Sequence, residues 1–428
     1  MSETKSQRPL ANKGFLSLIF TQFFGAANDY LLKTVLTYGL ATAGIWKSAL
    51  GEGGHVYPAY CLVVPFFLFC VIAGQVADRY SKREVAIWVK KAEVVFALLA
   101  LIGFWMGNFW FCLLAMMLLG IQSAFFNPVK YGLIPELVET EQLSRANGLI
   151  NMLTNLAAII ASVIGGILYV VYRGANSDAT SPEGMPWLPG AVMLFVAVLG
   201  LVAVHQMPKL KAANPEGKIR FDPFTPFFST LREMKRSGTP ILMIAILWSI
   251  FYLIAYTVML ILPDYTEVLN IEEDKLGYYL LGPLGLSIGM GCALAGWISG
   301  NRIQPRFVPA GAIGLTICFF LLGTAPATLW LVITYTVLAG LFTGFYIVPL
   351  QALLQKLAPE ESRGRIIGTA GALSAVFEVV GIGIFQFSKQ MFGMDSQDVF
   401  LILAVVGLMA TLVFYWKVRS QINRPEWR

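Results

Sequence analysis

Charged residues are scarce in this chain, at 13% of 428 positions against 57% hydrophobic ones. A soluble domain carries about 25% charged residues, so a mostly water-facing surface is excluded and lipid has to solvate much of the exterior. Histidine is rarer still. Only His55 and His205 occur, and neither begins an HxxxxD acyltransferase pattern, because Tyr60 and Leu210 stand where the aspartate would be. No GxxxxGKS or GxxxxGKT run is present, which removes an ATP-binding loop of that type. The five cysteines (Cys61, Cys70, Cys112, Cys292, Cys318) are odd in number, lack CxxC spacing and all fall in apolar segments. That pattern argues against a disulfide framework or a zinc site and leaves them as small core residues. Catalysis, primary pumping, a metal centre and a bound cofactor are therefore not expected.

What the chain has instead is long apolar runs. Crossing about 30 Å of hydrocarbon takes roughly 20 residues. Runs of that order fall near 15–45, 56–77, 85–105, 109–135, 146–172 and 188–206, and again near 239–266, 276–299, 307–324, 328–355, 366–390 and 398–417. They are too long and too uniformly apolar for barrel strands, which would alternate. The expectation is an all-α integral membrane protein of twelve helices. The polar start MSETKSQRPLANKG leads into an apolar segment too long for a cleaved signal, so the first helix is expected to be retained.

Lysine and arginine set the orientation. With the N-terminus inside, the outer loops hold only Lys47, Arg173, Lys275 and Lys389. The inner segments hold DRYSKR, PKLKAANPEGKIRFDPF, REMKR, NRIQPR, ESRGR and the tail KVRSQINRPEWR. Both termini are thus expected in the cytoplasm. The net charge of +6 reads as loops facing anionic lipid, not as a nucleic-acid surface. The longest polar stretch, 207–238, divides an N-terminal six-helix half (1–206) from a C-terminal one (239–428). The halves echo each other: AGQVADRYSKR from Ala73 matches AGWISGNRIQPR from Ala295, 222 residues on, and Pro128 aligns with Pro349 at an offset of 221. Two echoes at nearly one offset point to a duplicated unit.

GQVADRYSKR lies in the inner loop between the second and third runs. Gly74 allows close packing, Asp78 can cap the third helix or pair across helices, and Arg79, Lys82 and Arg83 are expected to face headgroups. This stretch resembles the signature loop of the major facilitator superfamily, with Ser81 where that pattern usually has glycine; Gly300 stands in the equivalent place of Asp78 in the second half. The resemblance implies a twelve-helix fold that alternates access by rocking its halves, with Gly74, Asp78, Arg79 and Arg83 as a conformational gate. TQFFGAANDYLLK, FFNPVKYGLIPEL followed by RANGL, and VPLQALLQ together resemble, more narrowly, the bacterial lysophospholipid transporter family. That likeness runs along nearly the whole chain. It implies movement of lysophosphatidylethanolamine and lysophosphatidylglycerol from the outer to the inner leaflet of the inner membrane, where a separate lysophospholipid acyltransferase restores the missing chain.

Asp29 stands in the middle of the first apolar run, where a charge costs about 2.5–3.5 kcal/mol on insertion scales. Gln22, Gly25, Ala26, Asp29 and Lys33 recur at helical spacing along one stripe. The resemblance assigns the family's membrane aspartate to Asp29, its PxKYG lysine to Lys130 and an acidic position to Glu378. Chemically, Lys130 or Lys33 suits a phosphate and Asp29 or Glu378 an ammonium. Asp29 thus has three open readings: substrate contact, an ion pair with Lys33, or a proton carrier in an exporter of amphiphiles. Lys90, Lys91 and Glu93 are expected near an interface, the lysines snorkelling. Asn151 and Asn155 are expected to bond between helices.

Overall fold

A computed structural model describes residues 9–41, 44–50, 57–175, 181–271 and 277–418. His55, Lys275 and the basic tail from 419 onward lie outside the described residues. The first half comprises α1 (Lys13–Leu40), α2 (Tyr57–Arg79), α3 (Lys82–Trp105), α4 (Phe109–Leu137), α5 (Leu143–Arg173) and α6 (Leu188–His205). A short surface helix, α7 (Phe224–Arg236), follows. The second half comprises α8 (Ile241–Leu269), α9 (Gly282–Ile298), α10 (Phe307–Thr324), α11 (Leu329–Leu357), α12 (Arg363–Phe392) and α13 (Ser396–Val413). Each of the twelve apolar runs thus corresponds to one long helix.

Among the described residues, ten helices are long and apolar enough to cross a membrane. The two that fall short are α1 and α3. They have the length, 28 and 24 residues, but carry the polar groups that reappear below. Large aromatic side chains are exposed at both ends of the bundle. Trp105, Trp110 and Trp330 at one end, and Trp297 and Trp416 at the other, are each at least 60% exposed, as in an interfacial aromatic belt.

The duplication is visible in the packing. α2 lies on α4 and α9 on α11; α1 lies on α5 and α8 on α12; α3 lies on α6 and α10 on α13. Pro128 and Pro349 fall inside α4 and α11, the fourth helix of each half. The halves meet along two matching seams, α2 with α12 and α5 with α9. Both seams tighten at the end of the bundle that carries Arg79, Arg145, α7 and Arg363, called the basic end below. A Cβ on Gly74 would lie 2.5 Å from the Gly364 carbonyl oxygen and 2.9 Å from Arg365 Cα. One on Gly148 would lie 2.5 Å from the Cys292 carbonyl oxygen. Small residues let the backbones touch, which is how helices associate where lipid removes the hydrophobic drive.

The linker is folded onto this end. The Asn214 amide donates to the Asp78 carbonyl at 2.7 Å. Gln75 exchanges two bonds with the Arg220 backbone at 2.9 and 3.3 Å. Asp222 caps α7 by accepting from the Phe224 and Thr225 amides at 3.0 and 3.1 Å. Pro226, Thr230 and Met234 of α7 are buried, while Phe224 and Phe228 are exposed, as in a helix lying in an interface.

Candidate functional site

Polar side chains of α1, α3 and α4 meet in the middle of the first half. Glu93 on α3 is buried and accepts from three donors: Lys90 Nζ at 2.5 Å, Asn28 Nδ2 at 2.9 Å and Gln122 Nε2 at 3.1 Å. Lys90 is fully buried, and its ammonium also lies 5.3 Å from the Phe126 ring centre. A buried carboxylate is tolerated when a cation and further donors surround it, and Glu93 has both. Room for Lys90 comes from two glycines. A Cβ on Gly25 of α1 would collide with its Nζ, and one on Gly200 of α6 would touch it at 3.6 Å. The snorkelling expectation is therefore corrected for Lys90, which turns inward; Lys91, one position round, is exposed. Helical spacing carries the signal: Ala86, Lys90, Glu93, Ala97 and Ala100 share the buried face of α3.

This cluster continues to Asp29. The Ser123 hydroxyl on α4 donates to Asp29 Oδ2 at 2.6 Å and lies 3.3 Å from Gln122 Oε1. Asp29 is partly exposed. Among the described residues it has no cation at ion-pair distance, and Lys33 lies instead 5.6 Å from the Tyr30 ring centre. The geometry thus departs from an Asp29–Lys33 pair. Lys130, 4.4 Å from the Tyr131 ring centre, is within electrostatic reach of Asp29. Glu378 on α12 is 8% exposed and shows no hydrogen-bonding partner among the described residues. It lies within electrostatic reach of Tyr252 and Tyr256 on α8, and of Tyr30, which is in reach of Asp29 as well. At 1.5 Å per residue, Asp29 and Glu378 both sit about 22–24 Å above the basic ends of their helices. Lys130 sits lower on α4. Gln22 has a packing partner instead, donating to Thr154 Oγ1 on α5 at 3.1 Å.

Below these groups the halves are joined. Asp78 ends α2 and accepts from the Gly364 and Arg365 amides at 2.6 and 2.9 Å, so it caps α12 across the seam, not α3. A carboxylate at a helix N-terminus also meets the positive end of the helix dipole. Asn147 and Gln355 exchange two amide bonds at 2.7 and 3.0 Å. Asn151 donates to Gln351 Oε1 at 2.6 Å, and Gln351 donates to the Tyr131 hydroxyl at 3.0 Å. Asn155 returns to the Asn151 carbonyl within its own helix, so the interhelical expectation is met by Asn151 alone of that pair.

The other loop residues stay within one half. Arg83 donates to the Met207 carbonyl at 2.7 Å and the His205 carbonyl at 3.4 Å, tying α3 to the end of α6. Arg79 lies over the Tyr80 ring at 5.7 Å. Lys82, expected to face headgroups, is fully buried and pairs with Glu136 at 2.6 Å.

The comparisons with known proteins agree with this architecture. The lysophospholipid transporter LplT of Cronobacter sakazakii is 28% identical over 414 residues, 94% of each chain. That of Pectobacterium carotovorum is 29% identical over 388 residues, 87% of this chain and 84% of its own. Among solved structures, the transporter FucP in its outward conformation superposes with a TM-score of 0.76 at 12% identity, covering 94% of this chain and 98% of that one. The human organic anion transporter MFSD10 superposes with a TM-score of 0.74 at 14% identity, covering 95% and 100%. A sequence model described as Major Facilitator Superfamily matches residues 14–382. With its duplicated six-helix halves and the basic loop after α2, the chain belongs to the major facilitator superfamily.

Proposed function

We propose that the protein carries lysophospholipids from the outer to the inner leaflet of a bacterial inner membrane, where a separate acyltransferase consumes them. The observation that carries this reading is the open charge at mid-depth. Asp29 is held by one hydroxyl, Lys130 lies within its electrostatic reach, and Glu378 stands on the other half with no hydrogen-bonding partner among the described residues. A zwitterionic headgroup offers an ammonium to a carboxylate and a phosphate to a lysine. The names of the LplT relatives support the same substrate class.

The basic end is taken as cytoplasmic, following the lysine and arginine bias. A bundle latched there is in an outward-facing arrangement, ready for a lipid from the outer leaflet. Asp78 is then the latch on α12, and release requires the halves to rock apart at that end. Gly74 serves the same closure; Arg79 and Arg83 brace the loop from within the first half.

Reconstitution into liposomes tests the reading. Fluorescent lysophosphatidylethanolamine added outside should become protected from an impermeant quencher faster with protein than without. The Asp29→Asn and Glu378→Gln double variant should lose that gain. Equal rates with and without protein would refute the proposal.

A further inference from the structure

Beyond the headgroup residues, the second half contains an apolar cavity between α8, α9, α10, α11 and α13 that opens to the surroundings. Its lining is apolar but for two threonines, Thr336 and Thr343. Such walls suit an alkyl chain and give a charged headgroup nothing to pair with. The position relative to Glu378 is specific. Phe251, Ala255 and Met259 line the cavity from α8 at four-residue spacing. Tyr252 and Tyr256, one position further round the same helix, are in reach of Glu378. The cavity and the charged site thus lie on adjacent faces of one helix.

The wall also holds an unexplained polar group. Thr336 on α11 lines the cavity, is 3% exposed, and its hydroxyl has no hydrogen-bonding partner among the described residues. Its neighbour Thr334 returns its hydroxyl to the Trp330 carbonyl in the ordinary helical way. A buried hydroxyl left unpaired is costly, and here it borders a space where an acceptor could sit.

We infer that this cavity receives the single acyl chain of the transported lysolipid, with the Thr336 hydroxyl donating to the ester carbonyl at its head. The inference rests on the lysophospholipid reading and deepens it. Moving a chain from lipid into an apolar cavity gains little from hydrophobicity, since lipid tails are equally apolar. Recognition is therefore by fit, and filling the space is the informative change.

Transport in liposomes would be compared for lysophosphatidylethanolamines with long and short chains. Ala339→Phe, which places a ring in the cavity, should slow the long-chain lipid about tenfold relative to the short one. Thr336→Val should slow an ester-linked lysolipid more than its ether-linked counterpart. In wild-type protein, a lysophosphatidylethanolamine with a diazirine at the chain end should label buried residues such as Leu315 and Ala339. This last arm needs no variant to fold. Equal effects at all chain lengths, with labelling confined to lipid-facing Leu286 and Met290, would overturn the inference while leaving lysolipid transport standing. Cavity labelling without any lysolipid transport would uphold the cavity as an alkyl-chain site and overturn the transport reading instead.

Discussion

At the level of single residues, the charged groups in the first half divide into two kinds. Lys90 and Glu93 neutralise each other in the core, with Asn28 and Gln122 completing the shell. Removing one member of a buried pair leaves the other uncompensated, at about 3–5 kcal/mol. Glu93→Gln should therefore lower the unfolding temperature in detergent sharply, and Lys90→Met combined with Glu93→Gln should recover most of it. Equal destabilisation by the single and double changes would show that the pair is not what holds the site. Asp29 is the other kind, open on one side. Asp29→Asn should impair lysophosphatidylethanolamine far more than lysophosphatidylglycerol, which has no amine, in competition for transport. Because Lys33 is turned to Tyr30, adding Lys33→Gln should not restore the loss; rescue by the double change would return Asp29 to a structural pair. Asp29 was legible in the sequence because an acid interrupting an apolar run has few explanations. The inward turn of Lys90 was not, because a lysine near the start of a membrane helix can equally snorkel. The deciding contacts, Gly25 and Gly200, come from two other helices.

At the level of elements, the α2–α12 seam depends on what glycine leaves out. A side chain at Gly74 meets the Gly364 carbonyl and Arg365 Cα, backbone atoms that cannot step aside. Gly74→Leu should hold the basic end ajar, so that a cysteine introduced by Asn147→Cys at that buried position becomes reactive to a water-soluble thiol reagent. No reaction of the introduced thiol in that background would mean the seam absorbs the added bulk elsewhere. Asp78→Asn keeps an acceptor for one of the two α12 amides, turns an NH2 donor toward the other and loses the charge, so it should weaken the latch by about 1–3 kcal/mol, roughly fivefold or more in population. Turnover should change with lysolipid affinity nearly untouched; a parallel loss of binding would contradict a purely conformational role. The twelve long helices were legible because each apolar run exceeds what any other structure could use. α7 was not: its 13 residues (Phe224–Arg236) sit in a stretch whose overall polarity masks a short amphipathic face.

On the scale of the whole molecule, two similar halves meet around the mid-depth charged groups, and their likeness was visible from Ala73 with Ala295 and from Pro128 with Pro349. Which partners cross between halves was not, because Asn147, Asn151, Gln351 and Gln355 look like ordinary helix polarity until both halves are present. With no GxxxxGKS or GxxxxGKT run in the sequence, the proposed mode is facilitated movement, and lysolipid entry into sealed vesicles should persist when an uncoupler collapses the proton gradient. Loss of transport under that treatment would favour a proton on Asp29 or Glu378. The composition of the latch carries one more consequence. Its bonds are amide to amide, carboxylate to backbone amide, and glycine against backbone. The Arg365–Glu233 ion pair beside it is about 40% exposed on both sides, so it adds little. Ionic strength weakens exposed ion pairs by shortening the Debye length to about 8 Å at 0.15 M, but it scarcely touches buried amide bonds. On the proposed orientation, a cell whose cytoplasm grows saltier under osmotic shock would thus leave the basic end as firmly latched as before.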